Sequence, residues 1–205
     1  AILCIYGRKF ARVVVEGLVD FKNGRGMQSL LAKFVVASIP AALVGFLAQE
    51  FIEQYTRTPF VAAYMLALVS ILMIIAERLH VDRTNISYPV AIAIGIAQAV
   101  ALVPGTSRSG ATITMGMLLG LRRTEAVDFS FMLSIPIIFG AAAYEMKNFE
   151  YQHGNMGIYL WGAFSAFIFG ILSLGLLIRY LKKHPLDVFA YYRIALALVI
   201  LIAAL

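Results

Sequence analysis

The sequence predicts an all-α, polytopic membrane helix bundle, and three observations carry that expectation. Apolar residues make up 61% of the chain and charged residues only 14%, against about half and about a quarter in soluble domains. The apolar residues fall into long runs parted by short polar stretches, with a mean hydropathy of +0.86. The polar stretch Val103-Pro104-Gly105-Thr106-Ser107-Arg108-Ser109-Gly110-Ala111-Thr112 lies between two apolar runs, each shorter than the about 20 helical residues a bilayer crossing needs. The 205 residues read as one integral membrane domain, 1–205.

Residues 1–5 are apolar with nothing basic before them, so no signal peptide is read there. Residues 6–29 read as a basic loop, with Arg8, Lys9, Arg12, Lys22 and Arg25 against Glu16 and Asp20 and a turn at Asn23-Gly24-Arg25-Gly26. The first full span is 30–51, with Pro40 as a kink that a bundle tolerates. Glu50, Glu53 and Arg57 mark a short loop, and Pro59 suits the first turn of a helix opening the span 60–76. After polar residues 77–88 come two half-helices, about 89–103 and 111–121. Arg122-Arg123-Thr124-Glu125 links to a span over 126–146 that contains Pro136, and 147–157 is a polar loop. Residues 158–178 span again, Arg179, Lys182, Lys183 and His184 follow, and the last span starts near Phe189. Trp161 and the tyrosines 151, 159, 191 and 192 sit near span ends, as an aromatic belt does. Both chain ends fall inside apolar runs, so a segment upstream of Ala1 is expected.

Charge placement predicts how residues 89–121 run. If they enter and leave on one side, loops 6–29, 77–88, 122–125 and 179–188 share a face carrying twelve Lys and Arg. Loops 51–59 and 147–157 then share the other, with two. A single crossing would divide them eight against six. Cytoplasmic loops concentrate Lys and Arg, so the pair is expected to be re-entrant, dipping from a basic cytoplasmic face toward mid-membrane. The net charge of +6 belongs to these loops and implies anionic lipid rather than nucleic acid. The single cysteine, Cys4, excludes an internal disulfide and any Cys-based metal cluster.

A half-helix starting near Gly110 would turn free backbone N–H groups and the positive end of its dipole toward the loop, as broken membrane helices do for anionic substrates. Gly105 and Gly110 allow tight backbone and close ligand approach. Arg108 offers a planar fork matched to phosphate oxygens, and Ser107, Ser109 and Thr112 add hydroxyls. Pro104 ends the entering half-helix. The set suits phosphate or pyrophosphate better than a carboxylate. The plainer reading makes Arg108 a structural lock and Gly116-x-x-x-Gly120 a packing stripe, but no Asp or Glu falls mid-span to pair with it. Glu50, Glu77, Asp128 and Glu145 all sit near span ends. Gln98 either lines the same cavity or bridges helices. Arg193 is expected to snorkel to the interface, and His80, His153 and His184 lie in loops away from the chemistry.

The run from Gly95-Ile96-Ala97-Gln98 through Pro104-Gly105-Thr106-Ser107-Arg108-Ser109-Gly110-Ala111-Thr112-Ile113 resembles the signature of the undecaprenyl-diphosphatase, or bacitracin-resistance protein, family. Ser130-Phe131-Met132-Leu133-Ser134-Ile135-Pro136, Ile39-Pro40-Ala41-Ala42-Leu43-Val44-Gly45 and Tyr192-Arg193-Ile194-Ala195 resemble further stretches of it. The resemblance implies a bacterial inner-membrane phosphatase built from inverted repeats, each with a re-entrant helix pair. It would hydrolyse undecaprenyl pyrophosphate on the extracytoplasmic side, recycling the lipid carrier for peptidoglycan. It implies a divalent cation, Mg or Ca, and a polyprenyl pyrophosphate lipid as partner, with a homodimer left open. Arg108 and Ser107 match the family's functional arginine and serine. Gly105, Thr106, Ser109, Gly110, Ala111, Thr112 and Gln98 are the candidate phosphate-binding set, and the metal ligands are unknown.

The family's second motif, Glu-x-x-x-Glu followed by Ser-Ser and a histidine, has no counterpart here. Glu16-Gly17-Leu18-Val19-Asp20 is followed by Lys22-Asn23-Gly24, so no catalytic role is carried onto Glu16 or Asp20. The missing motif is expected upstream of Ala1, and these 205 residues are expected to be incompetent alone. Ser107 without a neighbouring base reads as a hydrogen-bond donor rather than a nucleophile. The runner-up is a transporter or flippase of a phosphorylated lipid or anion; a purely structural membrane subunit comes third.

Overall fold

A computed structural model describes residues 1–79, 85–146 and 156–204. The fold is all-α: α1 Ile2–Lys22, α2 Leu30–Leu47, α3 Gln49–Thr56, α4 Pro59–Leu79, α5 Tyr88–Val100, α6 Arg108–Leu118, α7 Arg123–Glu145, α8 Met156–Lys183 and α9 Asp187–Ala203. Helices α2, α4, α7 and α8 are long and apolar enough to cross a bilayer, and α5 is a shorter apolar helix. His80, Tyr151 and His153, singled out above, lie outside the described residues.

Two expectations about the N-terminal third are corrected. Most of the supposed basic loop 6–29 is helix α1. Its charges line the exposed side of a helix that buries Tyr6, Val13 and Gly17 at helical spacing. The helix stops at Lys22, and Gly24 at φ +74 turns the chain into a single 3-10 turn over Gly26–Gln28. The supposed span 30–51 breaks at Ala48, where the backbone leaves helical geometry, and continues as the short α3. Ser29 caps the start of α2, its Oγ accepting from Ala32 N at 3.2 Å.

The α5–α6 hairpin sits at the centre. Helix α5 packs on α2, α6 packs on α4 and α7, and α4 pairs with α9. Ile94, Ile113, Met117, Phe129 and Leu133 are buried together there, and Phe34 stacks on Phe129 at 4.7 Å. Hydrocarbon leaves little hydrophobic drive between helices, so close backbone approach matters more. Gly95 meets that need: a Cβ there would collide with the Ala37 carbonyl of α2. Helix α8 faces outward along most of its length.

The hairpin returns to the side it came from. Glu77 at the end of α4 accepts the Leu186 N–H ahead of α9 at 2.8 Å and pairs with Arg123 at the start of α7. Nearby on α7, Asp128 accepts from Tyr6 Oη, Lys9 Nζ and Lys182 Nζ, each at 2.6 Å. The ends of α4, α6 and α8 therefore share one face with the starts of α7 and α9, as the charge count requires. Arg122 and Glu125 pair at 2.9 Å there. The second half-helix is closed by Gly120 at φ +91, with Gly120 N–H on Met117 O and Leu121 N–H on Gly116 O. That is a Schellman stop, so Gly120 ends a helix rather than completing a packing stripe. The hairpin runs most of the way along α4. Gly105 at its apex abuts Ala62 in the first turn of α4, about 22 Å along that helix from Glu77 at about 1.5 Å per residue.

Candidate functional site

The apex loop is held in a shape few sequences could adopt. Gly105 has φ +87 and lies so close to α4 that a Cβ would overlap the Ala62 carbonyl. Ser107 has φ +64, a conformation that costs a non-glycine residue on the order of 1–3 kcal/mol. The strain places Ser107 as the N-cap of α6: its Oγ accepts from Gly110 N at 3.3 Å and its carbonyl from Ala111 N at 2.9 Å. The half-helix thus starts at Arg108, earlier than the sequence implied. The amides of Gly110 and Ala111 are committed to Ser107. Those of Arg108 and Ser109 have no partner among the described residues and stand at the positive end of α6.

Arg108 is half-buried, and its guanidinium has no hydrogen-bond or ion-pair partner among the described residues. Ser109 is likewise half-buried, and the Ser107 hydroxyl, accepting at Gly110, keeps its own proton to donate. The two threonines are placed differently. Thr106 is fully buried, its Oγ1 donating to Val103 O at 2.7 Å. Thr112 Oγ1 lies 2.9 Å from Arg108 O and 2.5 Å from Ser130 Oγ, tying α6 to α7. Gln98 is 2% exposed, and neither side-chain amide atom has a partner among the described residues. Glu16 and Asp20 lie on α1 away from the loop, and His184 stacks on Tyr180 at 4.6 Å.

Arg193 is the residue that sequence reasoning misplaced. It does not snorkel but turns into the bundle from α9. Its Nη2 donates to the carbonyls of Gly105 at 2.9 Å and Thr106 at 3.0 Å, and its Nε to Ser70 Oγ on α4 at 3.2 Å. The one available signal was an arginine inside an apolar run, which is costly in a membrane unless something polar meets it.

Beside the loop lies a cavity of about 770 Å³, lined by Ala41 and Phe46 of α2, Leu102 and Pro104 of the loop, and Pro136 and Gly140 of α7. Its lining is largely apolar, with Arg57 and Glu145 among its few charged residues. Among the described residues, then, an unpaired guanidinium and free amides stand at a hairpin apex beside a largely apolar groove. Comparison with known proteins narrows the class. Residues 1–199 match the family described as Bacitracin resistance protein BacA. An undecaprenyl-diphosphatase of Rubrobacter xylanophilus is 38% identical over all of this chain and 78% of its own length. One from Elusimicrobium minutum is 36% identical over all of this chain and 79% of its own. A third, from Thermodesulfovibrio yellowstonii, is 40% identical over 84% of this chain and 68% of its own. The chain belongs to this bacitracin-resistance, undecaprenyl-diphosphatase family.

Proposed function

We propose that the protein hydrolyses undecaprenyl pyrophosphate to undecaprenyl phosphate and inorganic phosphate, returning the lipid carrier to cell-wall synthesis. The supporting observation is the Arg108 guanidinium, half-buried and unpaired among the described residues, beside the free amides of Arg108 and Ser109. Donors fixed before the substrate arrives stabilise the charge that builds up on a transferring phosphoryl group. Arg108 takes two phosphate oxygens, and the hydroxyls of Ser107 and Ser109 donate to others. The α2–α7 groove takes the first isoprene units, since it starts at Pro104 of the same loop.

The protein works in the bacterial inner membrane with its basic loops cytoplasmic. The apex, near the far end of α4, then opens to the extracytoplasmic side. Among the described residues no carboxylate pairs with Arg108, and the carboxylate nearest the loop's groove is Glu145, which lines the same cavity as Pro104. No three His, Cys, Asp or Glu converge among the described residues. These side chains alone do not fit the divalent cation that the resemblance implies.

The test is phosphate release from radiolabelled polyprenyl pyrophosphate by the full-length protein in micelles. Wild type should release phosphate, and Arg108→Lys, which loses the fork, should fall by about 10²–10³-fold, as for loss of one oxyanion donor. Movement of the lipid across vesicles without release would favour the flippase reading instead.

A further inference from the structure

A loop that binds an anion through its amides works only if its carbonyl oxygens, which repel the anion, are turned elsewhere. Here the two carbonyls immediately before the N-cap belong to Gly105 and Thr106, and both are occupied by one Arg193 nitrogen at 2.9 and 3.0 Å. We propose that Arg193 is the positioning residue of the phosphate loop. It draws these carbonyls back toward α9 and so presents the amides of Arg108 and Ser109, and the Arg108 side chain, to the pyrophosphate. The inference rests on the phosphatase reading above.

Three features of the geometry support it. The loop is strained at Ser107, with φ +64, and such conformations persist only where the surroundings over-determine them. Arg193 supplies that from two helices at once. It is rooted on α9, and its Nε is held by Ser70 Oγ of α4, which is itself anchored on Leu66 O at 2.6 Å. The contacts also exploit guanidinium chemistry: a rigid planar donor set reaches two carbonyls and a hydroxyl in fixed directions, as a lysine ammonium cannot. Finally, the nitrogens that make these contacts are spent on the protein, so Arg193 acts through the loop while Arg108 is the group left free for phosphate.

The experiment compares Arg193→Gln and Arg193→Lys with wild type in the full-length protein. It follows phosphate release, inhibition by inorganic pyrophosphate and thermal unfolding in micelles. Arg193→Gln should lower kcat/KM by about 10–100-fold, the range expected when catalytic groups are misplaced by an ångström or so. The inhibition constant for pyrophosphate should rise while the unfolding temperature moves by only a few degrees. Arg193→Lys should fall between the two. The deciding measurement adds Arg193→Gln to Arg108→Ala. If Arg193 works through Arg108 and its loop, the second substitution should cost less than about threefold more, a strongly non-additive pair. Losses that multiply in full, a normal kcat/KM for Arg193→Gln, or a wild-type Arg193→Lys would each overturn the proposal. Should Arg193→Gln fail to fold, Ser70→Ala removes the Nε anchor while keeping the arginine. A drop of about threefold in kcat/KM would support the proposal and no change would refute it. A wild type that releases no phosphate sinks the phosphatase reading; an active wild type with an unaffected Arg193→Gln sinks this inference alone.

Discussion

Arg123, in the first turn of α7, closes an ion pair on Glu77, in the last turn of α4. The partners are 46 positions apart, and the whole α5–α6 hairpin lies between them. The pair fixes the direction of everything downstream, because a hairpin that crossed the membrane would leave Arg123 on the far side from Glu77. Single-cysteine labelling with a membrane-impermeant maleimide checks this. The only native cysteine, Cys4, is exposed and is first replaced by alanine. Cysteines at Asn85 and Arg122, both exposed, should react from the same side of oriented vesicles, and one at Thr58 from the other. Opposite-side labelling of positions 85 and 122 would be incompatible with the re-entrant fold.

The apex loop tolerates no side chain at its first glycine. Gly105→Ala would force a Cβ onto the Ala62 carbonyl in a backbone at φ +87, and the relief would be a shift of the loop away from α4. That shift also moves the carbonyl held by Arg193. The positive φ alone costs about 1–2 kcal/mol, so unfolding in micelles should come several degrees earlier and phosphate release should fall at least tenfold. Gly175→Ala is the control: among the described residues no atom lies within 4 Å of a Cβ placed there, and activity and unfolding temperature should stay at wild type.

The hairpin was legible because its physics is coarse. Two apolar flanks too short to cross, with Lys and Arg dividing twelve to two only if the pair turns back, allow little else. Helix α1 was not, because counting charges treats Arg8, Lys9 and Arg12 as loop composition. Their arrangement opposite Tyr6, Val13 and Gly17 shows only when the period is followed. At the site, residue type singles out Arg108 as the candidate anion ligand but not where each hydroxyl points. Thr106 and Thr112 turn theirs onto nearby carbonyls, a local choice set by backbone geometry. Arg193 was misread because two of its three partners are backbone carbonyls 87 and 88 positions away, and a carbonyl carries no residue-type signal.

Thr112 separates a structural hydroxyl from a phosphate donor. Its Oγ1 lies 2.5 Å from Ser130 Oγ in a buried pair joining α6 to α7. If that bond is its main role, Thr112→Val should destabilise the protein by about 1–2 kcal/mol, since it orphans Ser130. Adding Ser130→Ala should then recover part of the loss. Activity per folded molecule should change little. A Thr112→Val protein that unfolds normally yet loses phosphate release by tenfold or more would make Thr112 a direct ligand of the substrate.

Gly140 tests the groove as the seat of the lipid chain. It lines the cavity on α7 next to Pro136, and a Cβ there meets no described residue within 4 Å. Gly140→Leu should therefore fill space without straining α7, and leucine is the better helix former, so the unfolding temperature should hold or rise. The new side chain would displace part of the first isoprene unit. Losing two or three buried methylenes costs about 2 kcal/mol at about 0.8 kcal/mol each, or roughly a thirtyfold rise in KM for the polyprenyl substrate. Inhibition by inorganic pyrophosphate, which has no chain, should be unchanged, because the Arg108 site stays intact. Equal losses for both molecules would mean that the leucine disturbs the loop through Pro104. An unchanged KM for the lipid would place the chain elsewhere on the bundle.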